Sequence, residues 1–250
     1  MRVLLLGGTG EARRLATELA KESRLHIVSS LAGRVADARL PEGDVRVGGF
    51  GGVAGLIAYL QDQHIDAVVD ATHPFAATMT AHAAEAAGVV GVPLVLLRRP
   101  GWTAGAEDDW HWTDTLDDAA ESAAAVGQRA LLTIGRQGLD AFAGADLWML
   151  ARCVDPPDPR PDWCELILDR GPYTVAGERE LLTRYDIDVL VTKDSGGPMT
   201  AAKLTAAREL AVPVVVVRRP ALPPGLGTMT VESVPEAVTW LRALGFRALG

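Results

Sequence analysis

The residues best suited to chemistry stand in four short loops, each directly after an apolar run: GGTGEAR at 7–13, ATHPFA at 71–76, GRQG at 135–138 and KDSGGPM at 193–199. In the first, Gly7, Gly8 and Gly10 follow VLLL and open a helical pattern. Glycines let a ligand approach the backbone closely and a helix N-terminus attracts anions, so the loop suits a pyrophosphate. Arg13 stands where the third glycine of G-x-G-x-x-G would be, counting from Gly8. Taken alone, the pattern fits either a dinucleotide site or a tight turn without ligand.

The next apolar run is more informative. An NAD site places an acid about twenty residues beyond the glycines to hold the ribose 2′-hydroxyl. HIVSSLAGR at 26–34 supplies Ser29, Ser30 and Arg34 instead. Hydroxyls and a guanidinium suit a 2′-phosphate, which favours NADP over NAD; the plainer reading has Arg34 capping a solvated loop. His73 lies beside Pro74, which fixes the turn, and Phe75, which could wall a nicotinamide. A histidine at a strand end also serves simply as a partner for backbone.

In the second half, Lys193, Asp194 and Ser195 precede Gly196 and Gly197, whose amides can face an anion, although a solvated turn has the same composition. Arg136, Lys193 and either Arg170 or Arg152 can gather against a carboxylate-rich substrate, with Tyr173 near them. Arg98, Arg99, Arg218 and Arg219 read as structural, and Trp102, Trp110 and Trp112 as packing. Several mechanisms are excluded. The residues four after Tyr59, Tyr173 and Tyr185 are Gln63, Gly177 and Val189, so the Tyr-x-x-x-Lys of short-chain dehydrogenases is missing. Two cysteines, Cys153 and Cys164, form neither a disulfide framework nor a zinc site, and no G-x-S-x-G elbow or P-loop occurs. No metal site is expected.

The elements that hold these loops repeat along the chain. Residues 170–188 align without a gap on 48–66 and match at Gly49, Val53, Ala54, Gly55, Leu60, Ile65 and Asp66, each 122 earlier than its counterpart. VPLVLLRRP at 92–100 recurs as VPVVVVRRP at 212–220, and WTDTLDDAAESAAAVG at 112–127 parallels TVESVPEAVTWLRALG at 230–245. Three matches in one order imply duplicated architecture. Strands are expected at 3–6, 26–30, 45–47, 67–70, 93–97 and 110–113, then at 130–134, 147–151, 165–168, 189–192, 213–217 and 229–232. First-half helices are expected near 11–21, 53–63, 76–87 and 116–126. Continuous apolar strands joined by helices give an α/β fold: two Rossmann-like, doubly wound parallel-sheet domains with the active-site cleft between them. The boundary is expected at Gly127, giving a 1–127 cofactor domain and a 128–250 substrate domain. DPPDPRP at 155–161 reads as a surface loop.

Composition narrows the class further. Of 250 residues, 48% are apolar, enough for a sizeable core, and 24 basic against 32 acidic residues leave a net charge of -8, which disfavours a nucleic-acid binder. The first apolar run has four residues and the later run 88–97 is broken by Gly91 and Pro93, so neither a signal peptide nor a membrane span is expected. A cytoplasmic location fits the cysteine content.

LLLGGTGEAR, SSLAGR, DATHPFA, GRQG and TKDSGG, in this order, resemble the precorrin-6A reductases of cobalamin biosynthesis nearly end to end, most specifically in DATHPFA and TKDSGG. The resemblance implies NADPH-dependent reduction of one macrocycle double bond, precorrin-6A to precorrin-6B, or the same step on the cobalt-containing substrate. It also leaves other enzymes of that pathway as candidate partners. Combined with the reading above, it assigns Gly8, Thr9, Gly10, Glu11 and Ala12 to the pyrophosphate, Ser29, Ser30 and Arg34 to the 2′-phosphate, and Thr72, His73 and Pro74 to the nicotinamide border. Arg136, Lys193, Asp194, Ser195, Gly196 and Gly197 are expected to face the tetrapyrrole. Lys193 is also among the candidate catalytic residues, and the completing proton has His73, Tyr173, Asp194 or water as its candidate source. The competing readings are a non-catalytic NADP sensor or tetrapyrrole carrier, and a different NADP-dependent reductase of an anionic substrate.

Overall fold

Alternation along one strand sets the plan of the first sheet. In β1 (Arg2–Leu6), Val3 and Leu5 join one buried cluster, and Leu4 and Leu6 join another on the opposite face. The structure, a computed structural model, describes residues 1–33, 41–222 and 228–247. After β1 come α1 (Gly10–Leu19), β2 (His26–Leu31), β3 (Asp44–Val47), α2 (Gly52–Asp62), β4 (Ala67–Asp70), α3 (Ala77–Val90) and β5 (Leu94–Leu97). Then follow β6 (Trp110–Thr113), α4 (Leu116–Val126), β7 (Arg129–Thr133), β8 (Trp148–Cys153), β9 (Glu165–Leu168), α5 (Val175–Arg184) and β10 (Val189–Lys193). The chain ends with α6 (Ala202–Glu209), β11 (Val214–Val217), β12 (Met229–Val231) and α7 (Val234–Arg247).

Two six-stranded parallel sheets result, in the orders β12-β5-β4-β1-β2-β3 and β6-β11-β10-β7-β8-β9. Both have the strand order of a dinucleotide-binding fold. Leu15 and Leu19 of α1 and Leu241 of α7 cover one face of the first sheet, and Leu56 and Leu60 of α2 with Ala83 and Ala86 of α3 cover the other. In the second sheet, Leu182 of α5 and Leu204 of α6 pack on Leu131, Leu190 and Val216, while α4 packs on β6, β10 and β11. Strands covered on both faces are continuously apolar for this reason.

The sequence repeat has a physical cause in this architecture. His64 and Asp186, following α2 and α5, both adopt φ 49°, and the next amides, of Ile65 and Ile187, each return 2.9 Å to the carbonyls of Leu60 and Leu182. This is a Schellman-type helix stop. The aspartate after each isoleucine then catches an incoming strand: Asp66 accepts from the Arg2 amide at 2.6 Å, and Asp188 from the Arg129 amide at 2.7 Å.

The domain boundary expected at Gly127 is corrected. The chain forms one unit from 1–99 with 221–250 and another from 100–220. β6 pairs with β11 and β12 pairs with β5, so each half gives its last strand and helix to the other half's sheet. The equivalent strands β5 and β11 read LVLL and VVVV and offer equally apolar parallel edges, so the local pattern does not specify which one a sixth strand joins.

Candidate functional site

In the first unit, three neighbouring strand ends meet at the glycine loop. The Gly7 amide donates to the Ser30 carbonyl of β2 at 2.9 Å, and the Thr9 hydroxyl donates to the Ala71 carbonyl beyond β4 at 2.7 Å. Thr9 also caps α1 by accepting from the Ala12 amide at 3.1 Å. The Ala12 amide and the Thr9 hydroxyl are therefore used internally, to shape the loop expected to surround the pyrophosphate. Gly10 and Glu11 keep the backbone amides of the first helical turn, which have no intrahelical acceptor. Gly8 lies at φ +116°, and apart from its chain neighbours no atom lies within 4 Å of where a Cβ would stand. Glu11 is buried with both carboxylate oxygens paired, to Arg14 at 2.7 Å and Arg99 at 2.6 Å. Its negative charge is thereby offset beside the loop expected to take an anion, and Arg99, read as structural, holds it.

The end of β2 divides its two serines. Ser29 is 1% exposed and its hydroxyl has no hydrogen-bond partner, so its assignment to the 2′-phosphate is corrected: strand alternation turns it into the core. Ser30 instead accepts from Arg46 Nη1 at 2.7 Å. Arg46, which sequence reasoning missed, also donates to the carbonyls of Gly48 and Gly49 at 3.0 Å each, and lies 3.8 Å over the Phe50 ring. Its signal was register, since Arg46 pairs directly with Ser30 across β2 and β3. Arg34 lies outside the described residues.

Asp70, also missed, organises the ATHPFA loop from the end of β4. Its Oδ1 accepts from the Thr72 amide at 3.0 Å and hydroxyl at 2.6 Å, and Oδ2 accepts from the Thr80 hydroxyl of α3 at 2.6 Å. His73 is exposed; its Nδ1 accepts from the Phe75 amide at 3.3 Å, which puts the ring proton of neutral His73 on Nε2. Pro74 follows, half-buried.

In the second unit, Lys193 ends β10, and its Nζ is 3.5 Å from where a Cβ on Gly138 would stand, so the GRQG turn and the KDSGG loop are neighbours. Burial pushes the Lys193 pKa down. Arg136 Nη1 donates to the Pro156 carbonyl at 3.2 Å, tying the turn to the proline-rich loop. Ser195 is half-buried, and Gly196 and Gly197 take φ +64° and +70°.

Asp194 and Tyr173, expected among the proton sources, both have partners within the second unit. Asp194 is buried, pairs through Oδ2 with Arg219 Nε at 3.0 Å, and accepts from the Trp102 amide through Oδ1 at 3.0 Å. It is a latch for the loop, and Trp102 reinforces it by donating from Nε1 to the Gly197 carbonyl at 2.9 Å. The Tyr173 hydroxyl donates to the Asp169 carbonyl at 3.0 Å, its ring lies 4.0 Å below the Arg152 guanidinium, and burial raises its pKa. Trp102, Trp110 and Trp112 pack against the second core, as their spacing suggested. Burial raises the pKa of both Cys153 and Cys164, which keeps them as thiols.

Residues 2–242 match the family model described as precorrin-6x reductase CbiJ/CobK. The precorrin-6A reductase of Rhodococcus erythropolis is 54% identical over 245 residues, covering 97% of this chain and 98% of that protein. The cobalt-precorrin-6A reductase of Priestia megaterium is 29% identical over 254 residues, covering 94% and 97%. A solved structure titled CobK precorrin-6A reductase superposes with a TM-score of 0.90 at 41% identity, covering 98% of this chain and 97% of that one.

Proposed function

The chain belongs to the precorrin-6x reductase family, and from that premise we propose that it uses NADPH to reduce one double bond of precorrin-6A, giving precorrin-6B in cobalamin biosynthesis. The observation that carries this reading is 54% identity, across almost the whole of both chains, to a protein named precorrin-6A reductase. Identity to the cobalt-precorrin-6A reductase of Priestia megaterium is 29%, which favours the cobalt-free substrate.

The first unit takes the cofactor. Gly8 and the amides of Gly10 and Glu11 receive the pyrophosphate, while Ser30, Arg46 and Arg34 present hydroxyl and guanidinium groups to the 2′-phosphate, with no acid at the end of β2 to repel it. Thr72, His73 and Pro74, held by Asp70, border the nicotinamide, which when bound supplies the hydride. The second unit takes the carboxylates of the macrocycle on Lys193, Arg136 and the loop of Ser195, Gly196 and Gly197, in which the Ser195 amide itself donates to the Lys193 carbonyl at 2.6 Å. Hydride transfer requires the nicotinamide C4 to lie close to the accepting carbon of the macrocycle, so positioning is the main contribution of the protein. His73, Tyr173, Asp194 and water are the candidate sources of the completing proton, and the His73 Nδ1 accepts from the Phe75 amide.

Arg34→Ala should weaken NADPH binding about 100-fold and NADH binding about 2-fold or less, as removal of a charge-assisted phosphate contact requires. Comparable losses for both cofactors, measured by fluorescence titration, would remove Arg34 from the 2′-phosphate. Lys193→Ala should raise the substrate KM about tenfold with NADPH affinity preserved. An unchanged KM would take the carboxylate role from Lys193. The overall reading is tested by product mass after anaerobic incubation with precorrin-6A and reduced cofactor.

A further inference from the structure

A buried charged cluster lies at the carboxyl ends of the second sheet, apart from the loops assigned above. Lys203, in the first turn of α6, is 5% exposed, and its Nζ donates to the Thr133 hydroxyl at the end of β7 at 2.9 Å. The Trp102 ring stands 5.6 Å from the same nitrogen. Arg152 of β8, 7% exposed, pairs with Glu178 of α5, 2% exposed, at 2.8 Å, and stacks on Tyr173.

The balance of this cluster is unusual for a purely structural one. Buried ions are normally paired and their hydrogen-bonding capacity filled. Here one carboxylate faces two cations. Glu178 gives Oε1 to Arg152, while its buried Oε2 has no hydrogen-bond partner. Lys203, with three N–H donors, bonds to the neutral Thr133 hydroxyl. A lysine serving only the core would complete Glu178; this one is tied to Thr133, which is half-buried at the strand edge and runs into the turn carrying Gly135 and Arg136. The cluster therefore lacks one negative charge at the edge where ligands of such sheets bind.

We propose that Lys203 is a specificity-determining charge for the substrate: its buried ammonium attracts a substrate carboxylate to the Thr133 edge, from beneath the site and without direct contact. The inference rests on the reading of the chain as a reductase of a carboxylate-bearing macrocycle. Attraction through the protein interior is stronger than through water, so one buried cation outweighs an exposed lysine at the same distance. The groups acting on Lys203 are Arg152 from β8, Glu178 from α5, Thr133 from β7 and Trp102 from the segment before β6. Burial first, and Arg152 second, pull its pKa down to about 7 against the opposing pull of Glu178. At neutral pH the charge is thus partly present, and a docking carboxylate draws a proton onto Lys203.

The sign follows from linkage. Below about pH 7 Lys203 is already charged and substrate affinity is flat; above it, binding requires proton uptake and weakens as pH rises. The test is precorrin-6A binding in the presence of NADP⁺ from pH 6 to 9, followed by absorbance, for wild type, Lys203→Met and Lys203→Arg. Wild-type affinity should fall about tenfold over this range, the change expected if docking raises the lysine pKa by about one unit. Lys203→Met should bind weakly at every pH, and Lys203→Arg, always charged, tightly at every pH. NADPH affinity, read in parallel, should be unchanged in both. A Lys203→Met protein with wild-type affinity and slope would overturn the proposal. If that variant does not fold, a wild-type slope persisting in Lys203→Arg overturns it equally. A wild type that binds NADPH but not precorrin-6A would instead overturn the functional reading on which the proposal rests.

Discussion

Asp194→Ala should destabilise the second unit by about 3–5 kcal/mol, the range for breaking a buried ion pair by removing one partner. The side chains of Arg219 and Asp194 are 13% and 10% exposed, so solvent screening does little to reduce the penalty. The substitution leaves Arg219 buried opposite no carboxylate, although its Nε still donates to the Asp194 main-chain carbonyl at 2.9 Å and Nη2 to the Pro100 carbonyl at 3.0 Å. It also frees the Trp102 amide that Asp194 now holds. The midpoint of chemical denaturation reads this directly. Asp194→Asn separates the latch from a proton-donor role, because the amide oxygen can still accept from Trp102 while the side chain can no longer supply an acidic proton. Measurable turnover by Asp194→Asn, with reduced stability, is the expected result. Full stability with complete loss of turnover would return Asp194 to the chemistry.

The second large effect belongs to the glycine loop. Gly8→Val should weaken NADPH binding by about 100-fold, or about 2.8 kcal/mol. Two causes add. Gly8 sits at φ +116°, where a β-branched residue is strained by about 1–3 kcal/mol. The branch would enter the open space at the loop proposed for the pyrophosphate, where apart from the chain neighbours no protein atom lies within 4 Å of a Cβ. The strain is the same with and without cofactor and should lower the thermal unfolding midpoint, whereas the blocked space should be read in cofactor titration. Unchanged NADPH affinity in a folded Gly8→Val protein would move the pyrophosphate away from this loop.

The strands were legible because their chemistry is local. Runs such as AVVD at 67–70 and WHWT at 110–113 are strands with the bounds their composition suggests. The repeated Ile-Asp pair was visible as sequence, and its cause, a helix stop followed by a carboxylate that catches a strand amide, emerged from geometry. The exchange of β6 and β12 was not legible, because choosing between two equivalent apolar edges is a tertiary decision. At the site, residue type located the loops but not the use of each group. Ser29 and Ser30 are chemically identical and both buried, and strand alternation puts only Ser30 against Arg46. Asp194 looked reactive beside Lys193, yet its partner Arg219 is 25 residues away. Lys203, within AKLTAARE, was not singled out, because the groups that surround it, Thr133, Arg152 and Glu178, are remote in sequence.

The central claim is tested most directly by incubating the protein anaerobically with precorrin-6A and either NADPH or NADH and weighing the product by mass spectrometry. The account predicts a macrocycle heavier by two hydrogens, formed faster with NADPH. A macrocycle of unchanged mass, while NADPH is bound, would contradict it.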